Sequence, residues 1–206
     1  MTIDVVLARY KEDVTWTERL HKDIKLHIYN KGPFLIGPNV SFYLTDIPNV
    51  GREAHTYLHH IIANYASLAE WTFFSQADPR PHCHNLVDIL KDWPDTCRKS
   101  VFLPEEGVYF FYDGPVRFNR GTKDHEDWES GVSQVFEELF WYQAPEDFLF
   151  APASIFAISR EKLLSRTLAF YKRCMNLAVT RERGPWEFER IWGYLWRDKD
   201  KAFVKC

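Results

Sequence analysis

Residues 3–10, IDVVLARY, make an apolar run of strand length, and two more such runs follow at distances that leave room for helices. Residues 25–32, KLHIYNKG, alternate as a second strand and stop at the turn signal Asn30-Lys31-Gly32. Residues 70–76, EWTFFSQ, make a third, aromatic and β-favouring. Between them, residues 12–22 carry helix-compatible spacing with an acidic first turn. Residues 51–68 repeat apolar side chains at helical intervals through Ala54, Leu58, Ile61, Ile62 and Tyr65. Residues 32–49, rich in Pro, Gly and Asn, read mostly as loop. Strand, helix, strand, helix, strand with short connections predicts an α/β fold with a mostly parallel central sheet and helices on both faces.

The second half is less regular. It predicts a short helix over 84–93, a strand over 107–113, a strand running into a helix over 154–166, and helices over 168–179 and 185–196, the last with Pro185 near its first turn. Residues 114–129, polar and charged, read as a surface loop whose run Lys123-Asp124-His125-Glu126-Asp127 is able to lid a site. The 206 residues fit one domain over 1–206, and the ending KAFVKC suits a domain cut from a longer chain. A net charge of -3 gives no general attraction for nucleic acid or an anionic membrane and favours a small neutral or anionic ligand at a local site. With no apolar stretch of spanning length and no signal-peptide pattern at the start, a cytoplasmic protein is expected. Cys83, Cys97, Cys174 and Cys206 show neither a CxxC pair nor regular spacing, so they are expected to be reduced and structural.

The third predicted strand stops at a lone carboxylate, Asp78, followed by Pro79, which cannot continue a ladder. Ligands of open α/β sheets bind beyond the carboxyl ends of strands, and Mg²⁺ or Mn²⁺ needs only one or two protein carboxylates when substrate phosphates complete its shell. Asp78 serves equally well as a turn or helix cap. Gly51-Arg52-Glu53 opens the second predicted helix, where free amides, the positive dipole end and Arg52 suit a diphosphate. An Arg52–Glu53 surface pair is the plainer role. His82 and His84 flank Cys83 on one face of an extended segment. With Asp78 they suggest a zinc-dependent hydrolase, or a role for His84 as a second ligand to the metal at Asp78.

The blocks VVLARYKED, IYNKG, PNVGREAHTYLHHII, WTFFSQADP and FAISRE, with the final W-x-x-x-R-x-W helix, resemble a glycosyltransferase-like family of GT-A fold found in fungi, bacteria and large algal viruses. That resemblance implies a GT-A-like, Rossmann-like sheet and a transferase dependent on Mn²⁺ or Mg²⁺. It implies transfer of a glucose-type or rhamnose-type sugar from a UDP-sugar to a glycan acceptor, in the viral case on a capsid glycoprotein in the host cytoplasm. Ala8, Arg9 and Tyr10 then match the nucleotide-base site, and Gln76-Ala77-Asp78 matches the DXD-type metal motif with its first acid missing. An Arg beside an aromatic suits stacking and phosphate pairing. GPWEFER resembles the segment that presents the base of an inverting enzyme, supplied by Glu187 or Glu189. Lying two apart on a helix, these cannot point the same way, and first-turn charge or a Glu189–Arg190 pair is their plainer role. Trp186 and Trp192 offer a sugar platform or core. A glycan- or nucleotide-binding module without catalysis is the non-enzymatic alternative.

Overall fold

The computed structural model describes residues 1–93, 100–120 and 131–197. The predicted strands fall as β1 (Ile3–Arg9), β2 (Ile24–Asn30) and β4 (Trp71–Gln76), with β1 paired in parallel to β2 on one side and β4 on the other. A strand inside the expected loop, β3 (Phe42–Asp46), extends the parallel set beyond β2. It escapes a pattern search because it is the sheet edge, where Tyr43 and Leu44 stay exposed and no buried face imposes alternation.

The expected helix over 12–22 is a 3-10 turn, Thr15–Arg19. Local side-chain bonds compete with the helix ladder there. The Asp13 carboxylate accepts from the Thr15 N–H and hydroxyl, the Thr17 hydroxyl donates to the Val14 carbonyl, and the Trp16 indole N–H donates to Ala77 O at 2.7 Å.

Beyond β4 the sheet changes direction. The order is β3-β2-β1-β4-β9-β6-β5, and β9 (Phe156–Ser159), β6 (Val108–Phe110) and β5 (Phe102–Glu105) pair antiparallel with their neighbours. The central sheet is therefore mixed rather than mostly parallel, with a parallel N-terminal half. A tight turn suffices for an antiparallel pair, and Gly107, at φ 84°, closes β5 onto β6. Part of the expected surface loop, Arg117–Arg120, is strand β7, paired with β8 (Asp147–Phe150) in a separate two-stranded sheet. The charged run 123–127 lies outside the described residues, as do Cys97 and Cys206.

Helices cover both faces. Val6, Phe74 and Phe156 point to α1 (Arg52–Ala63), α5 (Leu168–Thr180) and α6 (Gly184–Leu195), and α3 (Gly131–Phe140) packs beside them. Val5, Leu7 and Phe73 point the other way, to α2 (Leu86–Lys91) and Trp93. A helix of five residues, α4 (Arg160–Leu164), follows β9 and is capped by the Ser159 hydroxyl. Trp192 is fully buried among Tyr57, Phe156 and Phe188, so it is core and not a sugar platform. Cys83 and Cys174 are buried free thiols. No helix among the described residues is long and apolar enough to cross a membrane.

His60 of α1 is buried between Tyr29, whose hydroxyl lies 3.0 Å from its Nδ1, and the Asp4 carboxylate, 3.9 Å from its Nε2. Burial, with a smaller contribution from His27, pulls its pKa down to about 3. The unfolded chain therefore takes up a proton near the ordinary histidine value of about 6.5 while the folded chain does not, and this contribution to stability falls as pH drops from about 6.5 toward 3. Urea unfolding of the wild type and H60N at pH 7.5, 6.5, 5.5 and 4.5 should show a shallower acid loss in the variant, although its stability at pH 7.5 is lower. Equal slopes would mean that His60 is not the group responsible.

Candidate functional site

Strand order 3-2-1-4 places a switch point between β1 and β4, where two crossovers leave in opposite directions and open a crevice at the strand ends. A cavity of about 320 Å³ lies there. Ala8, Arg9 and Tyr10 line it from the end of β1, with Glu12 just beyond; Gln76 comes from the end of β4, Lys31 follows β2, and Asn49, Arg52 and Glu53 come from the entry to α1.

Arg9 is 6 % exposed. Its Nε donates to Glu12 O at 3.0 Å, and one terminal nitrogen donates to Asn30 Oδ1 at 2.5 Å, Pro33 O at 3.0 Å and Tyr10 O at 3.3 Å. All these acceptors are neutral, and among the described residues no carboxylate pairs with Arg9. A buried guanidinium satisfied only by carbonyls keeps its charge available to an anion. Close approach of the 30–33 turn makes this packing possible, since any side chain at Gly32 would overlap the Tyr10 carbonyl.

Lys31 Nζ donates to Val50 O at 2.6 Å and to Arg52 O, pinning the chain as it enters α1. Burial, opposed by the nearby Glu53 carboxylate, lowers its pKa to about 8. Gly51 and Arg52 both have left-handed backbone, at φ 59° and 45°. The Arg52 guanidinium stacks 5.0 Å above the Trp186 ring and lies 3.5 Å from a Glu53 oxygen. Glu53 is held above the ordinary carboxylate range, chiefly by burial and further by the charge of Glu189.

Of the expected donor residues, Ala8, Arg9, Tyr10, Arg52 and Gln76 meet at this cavity, and Gly51 adjoins it. Ala77 does not line it: it is buried, its carbonyl taken by Trp16 and its N–H by Ala8 O. Asp78 lies outside the lining, with Oδ1 accepting from Arg80 Nε at 2.6 Å, a bond that holds its pKa below the usual value. His84 does not join it. Its backbone N–H and Nδ1 both meet Asp113 Oδ2 at 2.8 Å, while His82 stacks on Tyr112. Among the described residues no group of three or more His, Cys, Asp or Glu side chains is placed to hold a metal ion, so the zinc arrangement of His82, His84 and Asp78 is not assembled. The residues also fit Mn²⁺ or Mg²⁺ poorly: Asp78, the expected ligand, lies outside the cavity lining with Oδ1 on Arg80, and of the carboxylates described in the lining Glu12 is turned to the Tyr10 and Lys11 N–H groups and Glu53 lies 3.5 Å from Arg52.

The two glutamates of α6 have different surroundings. Glu187 is 4 % exposed, and both its oxygens are taken by Arg181, at 2.7 and 3.1 Å. Gly131 at the start of α3 leaves the space its carboxylate fills. Glu187 therefore ties α6 to the end of α5 and to α3, and does not face the cavity. Glu189 Oε1 accepts from Ala153 N–H at 2.7 Å, and Oε2 lies 3.1 Å from the Arg190 guanidinium. Ala153 O in turn accepts from Gln76 Nε2 at 3.3 Å. Glu12, Lys31 and Asn49 line the cavity without a matching expectation, and Glu53 joins it as part of the expected 51–53 helix start. Lys31 alone carried a signal, being the cation in the turn directly after a predicted parallel strand.

Residues 5–100 are similar to a family described as a protein of unknown function (DUF3431), a span that includes every residue lining the cavity. No curated protein matches the chain.

Glu187→Gln should cost about 2–3 kcal/mol in denaturant unfolding, below the 3–5 of a fully buried pair because Arg181 is partly exposed, and should leave ligand binding at the cavity unchanged. Loss of binding without loss of stability would return Glu187 to the site.

Proposed function

We propose that the chain is a GT-A-type glycosyltransferase that moves a glucose-type or rhamnose-type sugar from a UDP-sugar to a glycan acceptor with inversion. The observation that carries this reading is the cavity at the β1/β4 switch point, where the buried Arg9 has neutral partners only among the described residues. The resemblance would place the acceptor, in the viral case, on a capsid glycoprotein.

In this reading Tyr10, half exposed at the rim, stacks on the base, while Arg9, Lys31 and Arg52 face the diphosphate. Negative charge grows on the diphosphate as the glycosidic bond breaks, and fixed cations lower the barrier because they need no reorganisation. The acceptor sugar rests on Trp186, which the Arg52 stack holds at the cavity edge. Glu189 lies one turn on from Trp186, on the same side of α6. Its carboxylate, oriented by Ala153 N–H and Arg190, takes the proton of the attacking hydroxyl.

UDP release from UDP-glucose and UDP-rhamnose, with and without glycan acceptors, tests the class directly. Glu189→Gln should lower turnover about 10²–10⁴-fold, the range for a general base, while UDP affinity stays within about twofold. Trp186→Ala should raise the acceptor KM more than it lowers kcat. A Glu189→Gln enzyme with full turnover would remove Glu189 as the base.

A further inference from the structure

Resting on the transferase reading above, we infer that this protein holds the donor diphosphate with Arg9, Lys31 and Arg52 and does so without a divalent cation. Two independent features of the strand ends lead there.

The first is what has become of Asp78. A metal bridging protein and diphosphate must sit where the phosphates sit, and the cavity is lined by Gln76 of the 76–78 segment while Asp78 is not in the lining. Its Oδ1 already accepts from Arg80 Nε at 2.6 Å and from the Arg80 backbone N–H at 3.4 Å. A cation binding Asp78 at Oδ1 would compete with a guanidinium, a group that matches a carboxylate in both charge and hydrogen-bond geometry. Asp13 is also close enough to act electrostatically on both Asp78 and Arg80, but its own oxygens are spent on Thr15.

The second is what the cavity holds in place of acids. Among the described residues Arg9, Lys31 and Arg52 line it together with two carboxylates. One of these, Glu12, is turned to the backbone N–H groups of Tyr10 and Lys11. The other, Glu53, is 3.5 Å from Arg52. A divalent cation entering there would join a set already rich in positive charge, whereas a diphosphate would neutralise it. Arg9 is the decisive member: it is 6 % exposed and among the described residues no carboxylate neutralises it, so it needs an anion and not a second cation.

The test is calorimetric titration of UDP into the full chain, once in EDTA and once in Mn²⁺, for the wild type, Asp78→Asn and Arg52→Ala. Arg52 is a suitable probe because its side chain is 55 % exposed and its loss leaves no cavity in the core. The expected results are a Kd in EDTA within about threefold of that in Mn²⁺, no change in Asp78→Asn, and a Kd raised about tenfold or more in Arg52→Ala, the loss of one charge-assisted contact. Binding that appears only with Mn²⁺ and disappears in Asp78→Asn would overturn the inference and leave the transferase reading standing. Absence of UDP binding in both conditions would overturn both.

Discussion

The parallel register of β1 between β2 and β4 is the constraint on which the site depends. Val5, Val6 and Leu7 are completely buried because both edges of β1 are hydrogen-bonded and both faces are covered. In that register Arg9 lies opposite Asn30, and Ala8 lies between Tyr29 and Gln76. The three strand ends are thus level, and the residues that follow them converge. A slip of one residue would send Arg9 to the opposite face and detach it from Asn30.

From that alignment comes the electrostatic character of the cavity. Removing a guanidinium from water is costly, and here the cost is offset by four hydrogen bonds from Nε and one terminal nitrogen to neutral acceptors, which do not cancel its charge. Lys31 is treated similarly, with carbonyls as partners and a pKa brought to about 8 by burial. Left-handed backbone at Gly51 and Arg52, and again at Ala153 and Ser154, occurs at the two segments that bound this region. Such conformations are retained where surrounding contacts hold them, and here those contacts are Lys31 on one side and Glu189 with Gln76 on the other.

Helix α6 sends its two central acidic residues to different partners. Glu187 and Glu189 are two residues apart, so the helix turns them about 200° from one another. One closes a partly buried ion pair with Arg181 across α3 and α5; the other reaches the left-handed segment beside Gln76. Trp186 and Trp192, both aromatic and both on this helix, separate in the same way, one stacked on Arg52 and the other central to the core.

The local patterns of residues 3–10, 25–32 and 70–76 were sufficient for three strands and the α/β class, because a strand covered on both faces must be apolar in nearly every position. The resemblance, and not these patterns, put Ala8, Arg9, Tyr10 and Gln76 forward as site residues, and the start of the second predicted helix put Arg52 forward; the level ends of the parallel strands bring them to one cavity. Tertiary structure alone decided the rest. The edge strand β3 has no buried face to imprint a pattern, and the antiparallel half depends on which neighbours β9 and β6 find. Whether Asp78 pairs with Arg80, which arginine each of Glu187 and Glu189 meets, and whether Lys31 is free in solvent or half-buried against backbone carbonyls are settled by which partner lies within hydrogen-bond reach in space, and sequence separation carries no record of that distance.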